Sequence, residues 1–219
     1  TNDWLRAYLT KSFFQRVGQK VDLFYDHSQI KSYQIIFVLG YTRILDKHFL
    51  KNNRLVLLVH ESDLPRGKGF SPIQWQILEG RNRITVSLIE MTEEIDGGDI
   101  VDQIDLVLNG TEIYDEIREA QATITLRLLE KFLRNYPNFH KRKQIGISSF
   151  YRRRTPEDSE LDINSTLRDL FPLLRIANNQ HWPSFFKILG ETYFLEVYKK
   201  ERVTNRPIEE KRLCFEEVK

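Results

Sequence analysis

Unbroken apolar runs alternate along this chain with stretches whose apolar residues return every three or four positions. The runs YQIIFVLG (33–40) and LVLLV (55–59) have the pattern of strands covered on both faces. ITVSLIE (84–90) and IVDQIDLVL (100–108) predict two further strands, and VDLFYDH (21–27) a short one. Helical spacing predicts one helix over 4–20 that stops near Gly18, a helical turn at DKHFLKN, and a helix over 71–81 that opens with Ser-Pro and closes near Gly80. The clearest helix follows the Asn-Gly turn at 109–110, with Ile113, Ile117, Ala120, Ile124, Leu128 and Phe132 on one stripe. Strands alternating with helices imply an α/β domain with a mostly parallel sheet flanked by helices. The pattern changes near residue 150. FFKILGETYFLEVYKK reads as a hairpin about Gly190 and RLCFEEV as another strand, so 150–219 is expected to form a small mixed or antiparallel subdomain beside a main domain at 1–149. A doubly wound domain usually begins with a strand, whereas this chain opens into a helix; a first strand upstream of residue 1 is therefore expected.

Charge narrows the partners. The 219 residues carry 33 basic and 31 acidic side chains, a net charge of +2, which leaves no broad basic field for gripping nucleic acid. The clusters HKRK (140–143) and YRRRT (151–155) read as loop charge or local contacts. The single cysteine, Cys214, excludes an internal disulfide and a cysteine-based zinc site. No apolar run approaches the roughly 20 residues of a membrane span and no signal peptide opens the chain, so a cytoplasmic protein without membrane contact is expected.

The candidate chemistry lies in the connections. In open parallel sheets ligands bind beyond the carboxyl ends of strands, and that rule singles out GYTRIL (40–45), HESDLPRGKG (60–69) and MTEEIDGGD (91–99) as one rim. It makes neighbours of His60 and Asp96. An imidazole titrates near neutral pH and can move protons or steady a developing oxyanion, and a carboxylate beside it fixes its tautomer. A hydrogen-bonded structural histidine is the competing interpretation. No G-x-S-x-G elbow supports a Ser-His-Asp hydrolase, and RGKG lacks the spacing of a phosphate loop.

HESDLPRGKG matches the H-x-S-x-L-P-x-x-x-G signature of the 10-formyltetrahydrofolate-dependent formyltransferases, EEIDGGDI resembles their L-D-x-G segment, and GYTRIL resembles the segment lining their folate pocket. The tail FYRRRTPEDSELD with LLRIANNQHWPSFF resembles the sugar N-formyltransferases that act on nucleotide-linked 4-amino-4,6-dideoxy sugars. The resemblance implies a Rossmann-like catalytic domain, 10-formyltetrahydrofolate as co-substrate, no metal, and a nucleotide-linked amino sugar as acceptor; a homodimer is compatible with it. It also implies that His60 and Asp96 form the catalytic pair. Arg43, Ile44 and Leu45 would line one wall of the folate site, and Met91, Thr92, Glu93, Glu94 and Ile95 the other. Ser62, Lys68, Arg153 and Arg154 are the candidates for contacting the acceptor or the oxyanion. One position departs from the family: where an asparagine usually stands two residues before the histidine, this chain has Leu58. An oxyanion donor is typically worth about 10²–10³ in rate, so Leu58 calls for a replacement donor, Ser62 or a backbone N–H in the 61–64 turn. A glycinamide ribonucleotide-type transformylase and an inactive folate-fold binding protein are the alternatives, and the near-neutral charge argues against a tRNA acceptor.

Overall fold

The computed structural model describes residues 3–43 and 45–200. In chain order its elements are α1 (Asp3–Arg6), α2 (Lys11–Val17), β1 (Ile36–Leu39), α3 (Lys47–Asn52), β2 (Val56–His60), β3 (Lys68–Gly69), α4 (Pro72–Leu78), β4 (Arg83–Glu90), β5 (Ile100–Val107), α5 (Tyr114–Asn135), β6 (Phe150–Tyr151), α6 (Leu167–Ile176), β7 (Ser184–Ile188) and β8 (Glu191–Leu195). The α/β class, the helices flanking a central sheet and the small antiparallel hairpin near the carboxyl end are as the pattern predicts.

The central sheet has the order β1-β2-β4-β5. Parallel pairing is found between β1 and β2, with Val38 opposite Leu58; β2–β4 and β4–β5 run antiparallel, with His60 opposite Ser87. Chain length explains the last reversal. A parallel crossover needs a dozen residues or more, and only 91–99 connect β4 to β5, so the two can close only as a hairpin.

Strand alternation divides the core. Phe37, Leu39, Leu57 and Val59 turn to one side, where they pack with Ile84, Val86 and Leu88 of β4 and with Leu128, Leu129 and Phe132 of α5. Leu57, Ile84, Val86, Leu88 and Leu128 are completely buried, and each contributes roughly 1.5–3 kcal/mol of transfer free energy. Val38 and Val56 turn to the other side, where they meet Leu45 and Phe49, with Leu58 packed against them. His60 shares that second face with Leu58, two positions away on the same strand.

The amino-terminal helix of 4–20 is two helices, because Thr10 caps a new one: its Oγ1 accepts from Phe13 N–H at 3.3 Å. Gly18 ends α2 in the left-handed region, as expected. No strand forms at 21–27, where Asp26 instead caps a 3-10 turn at His27–Gln29. The β7–β8 hairpin turns at Leu189 and Gly190, both at positive φ, the geometry that matches strand twist. Trp182 is half exposed, while Phe186 stacks on Tyr193. RLCFEEV and Cys214 lie outside the described residues. Among those described, no helix is long and apolar enough to cross a membrane.

Candidate functional site

After His60 the chain turns back over the second face of the sheet. Leu64 buries itself against Ile89 and Ile100, with Leu58 alongside, and Ser87 Oγ donates to the Ser62 carbonyl at 2.7 Å. This return path carries Gly67–Gly69 across His60. From the other side, the β4–β5 connection brings in Asp96, with its neck closed where Glu90 N–H donates to the Asp99 carbonyl at 3.0 Å. The site therefore lies on a sheet face, under two converging loops, rather than on a rim of carboxyl ends. Because β4 is antiparallel to β2, its carboxyl end points the opposite way; the Asp96 loop reaches His60 by folding over.

His60 Nδ1 stands 3.6 Å from Asp96 Oδ2, and the two side chains are 7% and 9% exposed. Nε2 lies 2.8 Å from the Gly67 carbonyl oxygen. A carbonyl only accepts, so Nε2 carries a hydrogen and donates it, which leaves Nδ1 facing Asp96. Asp96 Oδ2 in turn accepts from Gly69 N–H at 2.8 Å, and the Asp96 and Gly98 carbonyls accept from Gln144 Nε2 at 2.7 and 2.8 Å. Asp96 sits at φ 49, a left-handed conformation that a non-glycine residue holds only where its surroundings insist. Two glycines make the approach possible. A Cβ at Gly98 would collide with the Glu90 carbonyl oxygen, and one at Gly69 with the Tyr151 carbonyl oxygen.

The two expected folate walls come together. Leu45 is buried in the cluster that Tyr41, Leu58 and Met91 pack against, and Lys47 bridges to Glu93 at 2.9 Å. Arg43 points its guanidinium at Asp26, 2.9 Å away; Ile44 lies outside the described residues. Thr92 donates to the Glu94 carbonyl at 3.3 Å, Glu94 pairs with Lys68 at 2.8 Å, and Ile95 is exposed. Leu58 is thus an apolar side chain in an apolar setting, offering no donor where the family's asparagine would be.

The substrate and oxyanion candidates separate. Ser62 is 1% exposed and its Oγ has no hydrogen-bond partner among the described residues. Arg154 is a buttress: Nη2 donates to the Asp158 carbonyl at 2.8 Å, the guanidinium lies over Trp75, and burial pushes its pKa down. Arg152 pairs with Asp158 and also covers Trp75, whose Nε1–H donates to the Arg152 carbonyl at 2.8 Å. Arg153 differs. It is exposed and its guanidinium lies 4.6 Å from the ring of Phe70, the residue after Gly69.

Gln144, Ser149 and Glu94 are the site-building residues that sequence reasoning did not single out for these contacts. Ser149 Oγ accepts from Gly67 N–H at 2.9 Å and its carbonyl accepts from Lys68 N–H at 2.9 Å. Both Gln144 and Ser149 come from a polar segment without periodicity, so no pattern in the sequence marks them.

Known proteins resemble this chain in sequence and shape. A methionyl-tRNA formyltransferase of Protochlamydia amoebophila (strain UWE25) is 27% identical over 177 residues, covering 77% of this chain and 55% of that one. The chain spans about half the length of the curated methionyl-tRNA formyltransferases it matches. Among solved structures, a methionyl-tRNA formyltransferase from Clostridium thermocellum superposes with a TM-score of 0.74 at 21% identity, over 92% of this chain and 91% of that one. A 4-N formyltransferase from Francisella tularensis does so with a TM-score of 0.65 at 20% identity, over 87% and 83%. The formyl transferase family model matches residues 8–129, a span of more than half the chain that contains both His60 and Asp96, and the chain belongs to that family.

Proposed function

We propose that this chain transfers the formyl group of 10-formyltetrahydrofolate to the 4-amino group of a nucleotide-linked amino-dideoxy sugar. The observation that carries the reading is the enclosed His60–Asp96 pair, Nδ1 to Oδ2 at 3.6 Å, on the strand face whose Leu58 packs with Leu45 and Met91. That apolar cluster suits a flat pterin, and the pair suits the proton traffic of amide exchange. Asp96 accepts the proton that the attacking amine loses as its nitrogen bonds to the formyl carbon. His60 offers its Nε2–H to the formyl oxygen in place of the Gly67 carbonyl, steadying the negative charge there. When the bond to N10 of the folate breaks, N10 takes up the proton, and the pair returns to its starting state. Residues 1–149 carry this chemistry and the part from 150 onward borders the acceptor.

Charge around the site supports a small acceptor. Lys47, Lys141 and Lys143 are paired with Glu93, Glu90 and Asp99, and Arg43 with Asp26, so these four cations are already engaged rather than free for a polynucleotide. Arg153 has no carboxylate partner among the described residues, which leaves its guanidinium for a sugar-nucleotide phosphate. The sequence relatives favour a second reading, a methionyl-tRNA acceptor. The test is a panel assay with 10-formyltetrahydrofolate and four acceptors: UDP- and dTDP-4-amino-4,6-dideoxyglucose, charged methionyl-tRNA and glycinamide ribonucleotide. Turnover of a sugar nucleotide alone is expected. Turnover of methionyl-tRNA alone would move the assignment to the second reading, and turnover of none would reject transfer to these amines.

A further inference from the structure

Residues 67–69 touch His60, Asp96 and Glu94 in turn. The Gly67 carbonyl holds His60, Gly69 N–H holds Asp96, and between them Lys68 Nζ donates to Glu94 Oε1 at 2.8 Å. The ion pair is lopsided: the Lys68 side chain is 5% exposed and that of Glu94 68%. A surface carboxylate loses little without its partner, but a buried ammonium left alone is costly, so Lys68 holds Glu94 rather than the reverse. Glu94 belongs to the turn that carries Asp96. Gly97 N–H donates to the Glu94 carbonyl at 3.2 Å, and the Glu94 side chain lies over Gly97, where a Cβ would meet its Cγ at 2.6 Å. That turn keeps Asp96 in the left-handed region at φ 49.

We propose that the Lys68–Glu94 pair is a positioning latch that holds the Asp96 turn against His60. The proposal rests on the reading of His60 and Asp96 as the catalytic pair. Lys68 does not touch the reacting atoms; it acts through Glu94 on the placement of Asp96. A left-handed aspartate relaxes when its ties loosen, and a shift of about 1 Å in a reacting group can cost up to about 10²-fold in rate.

The test opens the latch from each end. Glu94→Gln removes the carboxylate from an exposed position, Lys68→Met removes the buried charge at similar volume, and Lys68→Arg keeps a cation. Two quantities are read: hydrogen exchange of the Gly69 amide, which reports the Asp96 contact without any turnover, and kcat with 10-formyltetrahydrofolate and dTDP-4-amino-4,6-dideoxyglucose. Glu94→Gln and Lys68→Met should each speed Gly69 exchange and lower kcat by about tenfold, with exchange in β2 and β4 unchanged. Lys68→Arg should restore most of both, and Lys68→Met should add nothing in an Asp96→Asn background. Unchanged Gly69 exchange in Glu94→Gln overturns the latch, as does a loss of protection spread over the whole sheet. If Asp96→Asn itself keeps wild-type kcat, the pair reading falls and the latch with it; if Asp96→Asn is impaired while Glu94→Gln is not, only the latch falls.

Discussion

Single side chains carry different kinds of weight around His60. Ser62 Oγ is buried with no partner among the described residues, where it brings the cost of an unsatisfied hydroxyl and no bond in return. Ser62→Ala should therefore keep or raise the melting temperature and leave kcat within about twofold, which thermal unfolding and steady-state rates will show; a large fall in kcat would make Ser62 the oxyanion donor that Leu58 is not. Arg153 and Arg154 are adjacent yet face different tasks. Arg154→Ala should lower the melting temperature, because it removes the buttress under Trp75 and Asp158. Arg153→Ala should instead raise the KM for the acceptor while folate affinity and melting temperature stay put. The closeness of His60 and Asp96 was legible in the sequence because a motif of fixed spacing carries each. Gln144 was not, since its bonds to the Asp96 and Gly98 carbonyls span a long stretch of chain and depend on no periodicity.

At the scale of elements, strands and the long helix were readable, and their exceptions have local causes. Thr10 caps α2 and splits the first helix, a hydrogen bond that apolar spacing does not register. The helix α6 was not foreseen because Pro172 lies inside it and interrupts the signal. The strand-end rule brought the His60 and Asp96 loops together by a wrong route, since β4 runs antiparallel to β2 and only folding-over brings Asp96 to His60. The Pro156–Ser159 turn gives a pH test of the arginine block. Hydrogen bonds from Arg152, ahead of the Thr155 backbone N–H, bring Asp158 from 3.8 down to about 2. A lowered carboxylate contributes stability that is present above its unfolded pKa and is lost as pH falls through the folded one. Asp158→Asn should therefore cost about 1–2 kcal/mol at neutral pH, discounted for the exposed Arg152 partner, and the difference from wild type should close between pH 4 and pH 2. Urea titrations across that window will show it; a difference that persists at pH 2 would contradict the assignment.

For the molecule as a whole, one sheet serves two purposes on its two faces. The side toward α5 is an apolar core of aliphatic and aromatic side chains. The other carries Val38, Val56, Leu58 and His60 under the returning loop and the Asp96 turn. If this second face holds folate, tetrahydrofolate should raise the melting temperature, since a ligand that binds only the folded state stabilises it in proportion to its saturation. Leu45→Arg, which places a charge in the apolar wall, should abolish that shift; an equal shift in the variant would place folate elsewhere. The central claim, that His60 and Asp96 together carry formyl transfer, is tested most directly by kcat for 10-formyltetrahydrofolate and the accepted amine in wild type, His60→Ala, Asp96→Asn and the double variant. Each single change should lower kcat by about 10²–10⁴, and the double variant should be little worse than either, as expected of residues acting as a unit. Near wild-type turnover in either single variant would contradict the account.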